Sequence, residues 1–162
     1  MTPLLELWAD LSRVRSLQFV AQSGSATGWK GRGRGSVVVE AFGDDVQTFT
    51  ESGTWHTEAG RELRFHNVYR WTRTDPTLRL EHLRFGIDHP VYLFDLAQTG
   101  DGEWRSVSPH LCGEDRYSAV LLVGNSLTLR WEVVGPTKQE VIEYDYFHAA
   151  TNEPPPPLIE KK

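Results

Sequence analysis

The sequence contains a single cysteine, Cys112, and a single methionine. One cysteine excludes an internal disulfide framework and any zinc site built from several cysteines, and it suits a reducing compartment. No apolar run reaches the roughly 18–20 residues of a membrane-spanning helix. The N-terminus also lacks the basic region and apolar stretch of a secretory signal. We therefore expect a cytoplasmic protein with no membrane span.

Basic residues are fewer than acidic residues. The chain has 17 Lys and Arg against 22 Asp and Glu, for a formal net charge of −5. Such a surface does not generally attract phosphate backbones or anionic membranes, so we expect no nucleic-acid partner. The one dense basic stretch, Lys30 to Arg34, is interpreted as a solvated strand or loop rather than a phosphate-binding loop.

Large side chains are plentiful, with six Trp, five Tyr and seven Phe among 162 residues. This is enough apolar surface for the core of one domain without disulfides. We predict a single domain over residues 1–150 and a flexible tail over residues 151–162. The tail contains four successive prolines, Pro154 to Pro157, which cannot join a sheet.

One helix is predicted, over residues 3–14. Thr2 is a suitable N-cap and Pro3 occupies a first-turn position where proline is tolerated. Apolar residues then recur at helical spacing, which gives the helix one apolar stripe. Because an isolated helix of this length is marginal in water, the stripe must pack on something, such as one end of a barrel.

From residue 16 onward the pattern changes to strands separated by short turn sequences, which join antiparallel neighbours. A sheet of about ten sequential strands tends to curl and close, which removes its unpaired edges. We predict an all-β fold, a single antiparallel meander barrel with one N-terminal helix, and keep a β-sandwich as the alternative. The predicted strands are residues 17–22, 36–42, 46–55, 62–73, 77–85, 91–98, 103–108, 116–123, 127–134 and 140–147.

A polar cluster is predicted at one hairpin. If Gly113 and Glu114 form a type II′ turn, Cys112 pairs with Asp115 and His110 with Tyr117. Side chains alternate along each strand, so the four side chains project from one face. They form either a site, in which His110 and Asp115 adjust each other's charge, or a structural cluster that fixes the turn.

Strand alternation also gives interior candidates. Glu51 shares a face with Phe49 and Trp55, and an inward Glu51 or Arg84 would need a counter-charge or a polar ligand. The register around Gly124 stays open. A two-residue turn there directs Tyr117 away from Trp131, whereas a three-residue loop that includes Ser126 places them on one face.

Several ordered motifs carry a resemblance to a known family. They are Thr-Glu-Ser-Gly at 50–53, Tyr-Arg-Trp at 69–71, Phe-Asp-Leu at 94–96, H-x-C-x-x-D-x-Y at 110–117 and W-x-V-x-G-P-x-K at 131–138. From Ser36 to Phe147 the chain resembles an uncharacterised domain-of-unknown-function family of small bacterial and fungal proteins. The resemblance implies a calycin-like barrel, similar to lipocalins and fatty-acid-binding proteins. It also implies that six residues belong to the family's recurring pattern, namely His110, Cys112, Asp115, Tyr117, Trp131 and Lys138.

The predicted function is binding of a small, largely apolar ligand, with a polar or anionic group, inside a hydrophobic barrel cavity. One alternative is an enzyme on the same barrel that uses His110, Asp115 and Tyr117 in acid–base chemistry. Another is a protein-interaction module exposing Trp8, Trp29 and Trp104. The sequence assigns no cofactor, metal or protein partner, and it leaves a homodimer open. The candidate ligand-binding residues are Glu51, Tyr69, Trp71, Arg84, His110, Cys112, Asp115, Tyr117, Trp131 and Lys138.

Overall fold

A computed structural model describes residues 2–23, 30–108 and 110–149, without the side chains of residues 110–112. It contains a helix, α1, over Pro3–Ser12, followed by antiparallel strands. The strands are β1 Val14–Ser23, β2 Gly31–Ala41, β3 Val46–Thr57, β4 Glu62–Thr74, β5 Thr77–His82, β6 Val91–Gly100, β7 Glu103–Ser106, β8 His110–Cys112, β9 Asp115–Val123, β10 Leu127–Val134 and β11 Gln139–His148.

The strands form one closed barrel. Each strand pairs with its neighbours in the chain, and the ring closes because β11 pairs with both β10 and β1. β7 and β8 pair with different parts of the same edge of β9, so together they occupy one position in the wall. The predicted antiparallel barrel is therefore confirmed, and the sandwich alternative is excluded.

All of the predicted strands are present, although several boundaries differ. The helix ends at Ser12 rather than at residue 14, because Arg13 caps it and Val14 already pairs with His148 in β1. β2 begins at Gly31 rather than Ser36, since the whole stretch from Gly31 pairs with β3. β5 ends at His82, and the segment after it leaves the wall.

The register around Gly124 is that of a three-residue loop. Val123 pairs with Leu127, so residues 124–126 form the connection between β9 and β10. Val133 then lies opposite Tyr117, and Trp131 lies opposite Ala119. Tyr117 and Trp131 therefore share the inward face, which is the second of the two registers left open by the sequence.

The two ends of the barrel differ. Helix α1 covers one end and buries Leu4, Leu7 and Leu11, while the Gln47 side-chain amide donates to the Trp8 carbonyl at 3.3 Å. The barrel interior at this end is filled by large side chains. They include Phe49, Trp71, Leu78, Phe94, Leu96, Trp104, Leu121, Leu127 and Tyr146.

Two predictions of exposure are wrong. Trp104 is 3% exposed, because it lies on the inward face of β7 opposite Leu121, and it cannot be a surface contact for a partner. Arg34 is 5% exposed, whereas Lys30 and Arg32 of the same stretch are exposed as predicted. Trp8 is half-buried against the core, and Trp29 lies outside the described residues, as does the 151–162 tail.

Candidate functional site

A cavity of about 560 Å³ lies at the barrel end away from the helix. Its walls are mainly aromatic and aliphatic, with a minority of polar and charged groups. The lining consists of Phe19, Ala21, Gln22, Trp55, Leu63, Arg64, Phe65, His66, Asn67, Tyr69, His82, Arg84, Val91, Leu93, Tyr117, Trp131, Val133, Lys138, Glu140, Ile142 and Tyr144.

Glycines on β2 help to make room at this end. Gly31, Gly33 and Gly35 pair with Ala21, Phe19 and Leu17 of β1, so all three occupy inward positions without a side chain. A Cβ built on Gly33 would lie 2.2 Å from Cε2 of Phe19. The Phe19 ring therefore lies directly against the Gly33 backbone, where any larger residue would displace it.

The mouth of the cavity opens beside β4. β4 extends past the end of β5, which pairs only with Tyr69–Thr74, and beyond that point the Leu83 amide donates to the Val68 carbonyl. The segment that follows carries Arg84, whose guanidinium lies 4.9 Å from the Phe85 ring centroid. The barrel wall is thus incomplete here.

Cations outnumber acids around this mouth. Arg64, Arg84 and Lys138 line the cavity together with a single acid, Glu140. Lys138 Nζ is 3.8 Å from an Asp115 carboxylate oxygen. Within the part of the chain that the structure describes, the other two cations, Arg64 and Arg84, make no ion pair. Neither guanidinium is therefore engaged by a carboxylate of the described residues, and Arg64, which alternates with the inward Leu63 and Phe65, reaches the mouth from the outer face of β4.

The inner end of the cavity is polar, and its described residues include no Arg or Lys. Tyr69 and Tyr144 both line the cavity, and their hydroxyl oxygens are 3.5 Å apart. Beyond them, the fully buried Glu51 accepts a 2.6 Å hydrogen bond from the Tyr146 hydroxyl, while Glu51 Oε1 has no hydrogen-bond partner among the described residues. Asn67, also in the lining, pairs with Glu51 across β3 and β4.

Burial controls ionisation in this inner cluster. It raises the pKa of Glu51 to about 8, although the hydrogen bond from Tyr146 acts in the opposite direction. The pKa of Tyr69 is raised by burial first and by the neighbouring Glu51 second. Burial raises the pKa values of Tyr144 and Tyr146 as well. At neutral pH the cluster is therefore a set of uncharged hydroxyl and carboxyl groups.

His82 forms part of the wall next to Tyr69. The two rings are stacked, with centroids 4.6 Å apart and an interplanar angle of 19°. Burial, and after it the charge of Arg84, lowers the pKa of His82. His82 is therefore a neutral, flat group at neutral pH, and it extends the aromatic wall rather than the cationic mouth.

The predicted hairpin has the predicted backbone register. His110 pairs with Tyr117 and Cys112 with Asp115, and Gly113 has the positive φ, +66°, that the first position of a type II′ turn requires. The Tyr117 ring stacks on Trp131 with centroids 6.3 Å apart. The side chains of His110 and Cys112 lie outside the described residues, so their part in a site stays a prediction.

Gly135 has a specific role near this hairpin. A Cβ on Gly135 would lie 2.0 Å from an Asp115 carboxylate oxygen, and the Gly135 amide donates to the Lys138 carbonyl at 2.9 Å. The absence of a side chain thus lets Asp115 approach the 135–138 turn and reach Lys138. The contact between Asp115 and Lys138 connects the H-x-C-x-x-D-x-Y motif at 110–117 with the W-x-V-x-G-P-x-K motif at 131–138.

The predicted site residues fall into four groups. Tyr69, Arg84, Tyr117, Trp131 and Lys138 line the cavity. Asp115 lies at the rim, paired with Lys138, whereas Glu51 and Trp71 are buried in the barrel interior and do not line the cavity. His110 and Cys112 have only a backbone position. The cavity therefore brings together half of the predicted set.

Sequence reasoning missed several lining residues. Phe19, Asn67 and Glu140 are among them. Asn67 lies on the same face of β4 as Phe65 and Tyr69, so strand alternation carried a signal for it. The alternating glycines of β2 carried a usable signal, because Gly at every second position leaves one strand face without side chains. The interpretation of the Lys30 to Arg34 stretch depended only on its charge.

Two further features of the described residues bear on function. No helix in residues 2–23, 30–108 or 110–149 has the length and apolarity to cross a membrane. Among the side chains described there, no three His, Cys, Asp or Glu residues lie close enough together to hold a metal ion.

Comparison with known proteins gives a family but no activity. A search of curated proteins finds none that matches the chain significantly. A family model does match, over residues 16–148, and it therefore includes all of β2 to β11 and most of β1. The match begins well before Ser36, where the resemblance was first placed. The chain belongs to the family of unknown function DUF6314.

Proposed function

We propose that the protein binds a small, largely apolar molecule with an anionic group in the open end of its barrel. The observation that best supports this is the cavity of about 560 Å³ with an aromatic wall and a cationic mouth. Small-molecule sites typically occupy about 300–1,000 Å³ and are mainly apolar, with a few polar groups that orient the ligand. The mode of binding would be calycin-like, with the ligand inside the barrel.

The wall supports an apolar ligand body. Phe19 packs edge-on against Phe65, with centroids 5.3 Å apart, and lies 6.4 Å from Trp55. On the other side, Tyr117 stacks on Trp131. These rings present large apolar faces to the cavity at little conformational cost, since their neighbours already hold them in place.

The mouth supports an anionic head group. Arg84 and Arg64 make no ion pair within the described ranges, so a carboxylate or phosphate would not have to displace an existing partner. A hydrogen bond to a charged group contributes more than a neutral one, about 1.5–3 kcal/mol. Arginine also presents a planar fork of donors that matches a carboxylate.

Isothermal titration calorimetry with decanoate and decan-1-ol tests this proposal. We expect decanoate to bind the wild type and the Arg64→Ala/Arg84→Ala double variant to bind it about tenfold or more weakly. Decan-1-ol should bind both proteins equally. Arg130→Ala, at an exposed position on β10, is the matched control and should leave decanoate binding unchanged.

A second variant separates the contribution of the aromatic wall to ligand binding from that of the cationic mouth. Trp131→Ala should weaken the binding of both probes, because it removes apolar wall without changing charge. Native mass spectrometry of protein from its own host should also reveal a retained small molecule. A clean apo mass, together with no saturable heat for either probe, would contradict the proposal.

The alternative functions remain predictions. Acid–base chemistry needs His110 within reach of Asp115 or Tyr117. The His110 side chain lies outside the described residues, so this alternative stays a prediction. The interaction-module alternative cannot use Trp104 as a surface contact, because Trp104 is buried.

A further inference from the structure

We infer that the inner end of the cavity binds an uncharged hydrogen-bonding group, a hydroxyl or a carbonyl, through the hydroxyls of Tyr69 and Tyr144. This inference rests on the proposed function and adds a second recognition point at the opposite end of the ligand. The ligand would then be anionic at the mouth and polar but neutral at its inner end.

The two hydroxyls have unused hydrogen-bonding capacity. Their oxygens are 3.5 Å apart, whereas a good O–H···O bond is about 2.7–2.8 Å long. Neither hydroxyl has another partner in the described residues. Buried polar groups are nearly always hydrogen-bonded in folded proteins, so this pair indicates a place for a further donor or acceptor.

Two neighbouring groups strengthen the polar character of this end. Glu51 Oε1 is buried without a hydrogen-bond partner, and the amide of Asn67 lines the cavity across the strand pair from it. The hydroxyls of Tyr69 and Tyr144 and the side chain of Asn67 thus group neutral donors and acceptors at the inner end of the cavity, with Glu51 behind them. An alkyl end placed here would leave these groups unpaired, which is why we expect discrimination against it.

The same surroundings disfavour an anion. The inner group consists of Asn67, Tyr69, Tyr144, Tyr146 and Glu51, with the His82 ring stacked on Tyr69, and it contains no Arg or Lys. Burial lowers the pKa of His82, so its neutral imidazole offers an anion no opposite charge, and burial penalises any unpaired charge. Arg64 is about 17 Å away if measured along the five residues from Arg64 to Tyr69. Arg84 lies closer, two residues after the His82 ring that stacks on Tyr69.

Four ten-carbon ligands and two Tyr→Phe variants form the test, by isothermal titration calorimetry. For the wild type we expect affinities in the order 10-hydroxydecanoate, decanoate, decanedioate, with the first at least about threefold tighter than the second. The Tyr69→Phe/Tyr144→Phe double variant should lose that preference, so that it binds 10-hydroxydecanoate no more tightly than decanoate. 10-Oxodecanoate should behave like the hydroxy acid.

Tyr92→Phe is the matched control, because Tyr92 lies on the outer wall against Arg79. It should keep the wild-type order of affinities. If decanoate binds but the hydroxy acid has no advantage, or if the double variant keeps that advantage, this inference is overturned and the proposed function stands. If none of the ligands binds, both are overturned.

Discussion

At the scale of single residues, Glu51 shows how a buried charge is accommodated. The strand pattern predicted that Glu51 shares a face with Phe49 and Trp55, and that an inward Glu51 would meet a counter-charge or a polar ligand. Glu51 is indeed fully buried. Burial raises its pKa to about 8, so the proton, rather than a cation, removes the charge.

This ionisation makes stability depend on pH. The folded-state pKa of Glu51 lies above the ordinary value of 4.5, so the folded protein binds more protons than the unfolded chain between about pH 4.5 and 8. The contribution of Glu51 is therefore complete below the lower value and is lost as pH rises through the upper one. We expect this loss to be on the order of 3 kcal/mol between pH 5 and 8.

Urea unfolding of the wild type and the Glu51→Gln variant at several pH values measures this pH-dependent loss of stability. Gln keeps the size of the side chain but cannot ionise, so the stability of the wild type relative to the variant should fall as pH rises. Glu40→Gln, at an exposed position, should show no such trend. A difference between wild type and Glu51→Gln that stays constant with pH would contradict the assignment.

Gly33 permits another single-residue prediction. Gly33→Ala should destabilise the protein by about 1–3 kcal/mol, because the new Cβ would overlap the Phe19 ring. The displaced ring should also weaken ligand binding. Gly100→Ala is the control, since its Cβ would meet nothing closer than 3.9 Å, and equal melting temperatures for the two variants would refute this reasoning.

At the scale of elements, helix α1 works as a lid packed on the barrel. Its predicted apolar stripe is the buried one, since Leu4, Leu7 and Leu11 all face the core. Leu11→Ala should cost about 2–5 kcal/mol, because Leu11 is 0% exposed. Leu5→Ala, at a position 37% exposed, should change the free energy of unfolding little.

Chemical denaturation followed by tryptophan fluorescence would compare the two helix variants. Similar losses for Leu5→Ala and Leu11→Ala would mean that the helix does not pack as described. The strands were also predictable as elements, because turn residues separate them at regular intervals. Their ends were not, since a strand such as β5 ends at His82, where its pairing with β4 stops although β4 continues, and not where its own sequence changes.

At the scale of the whole molecule, closure of the sheet is the main feature. β11 lies between β10 and β1, and the Ala149 amide donates to the Arg13 carbonyl at 3.3 Å, so the two ends of the barrel sequence are adjacent. A closed ring has no terminal edge strand, and its topology is unchanged if the chain is opened at a loop.

A circular permutant tests this closure. Joining residue 162 to residue 1 and opening the chain between Gly124 and Asn125 should give a cooperatively folded β protein by circular dichroism and thermal unfolding. The native tail can span the 10-residue helix, about 15 Å long. Opening instead between Ser52 and Gly53, inside β3, should prevent folding. A permutant opened at Gly124 that is unfolded would count against a closed barrel.

The sequence by itself determined the antiparallel order, the helix and the strand faces, because these depend on local periodicity and turn residues. It also determined the His110–Tyr117 hairpin register, since the two-residue turn fixes it. Only the tertiary structure decided the register at Gly124 and which residues meet in the cavity. Both strand faces are apolar near Gly124, and the mouth, wall and inner end of the cavity join residues from strands on opposite sides of the barrel, whose proximity no local pattern encodes.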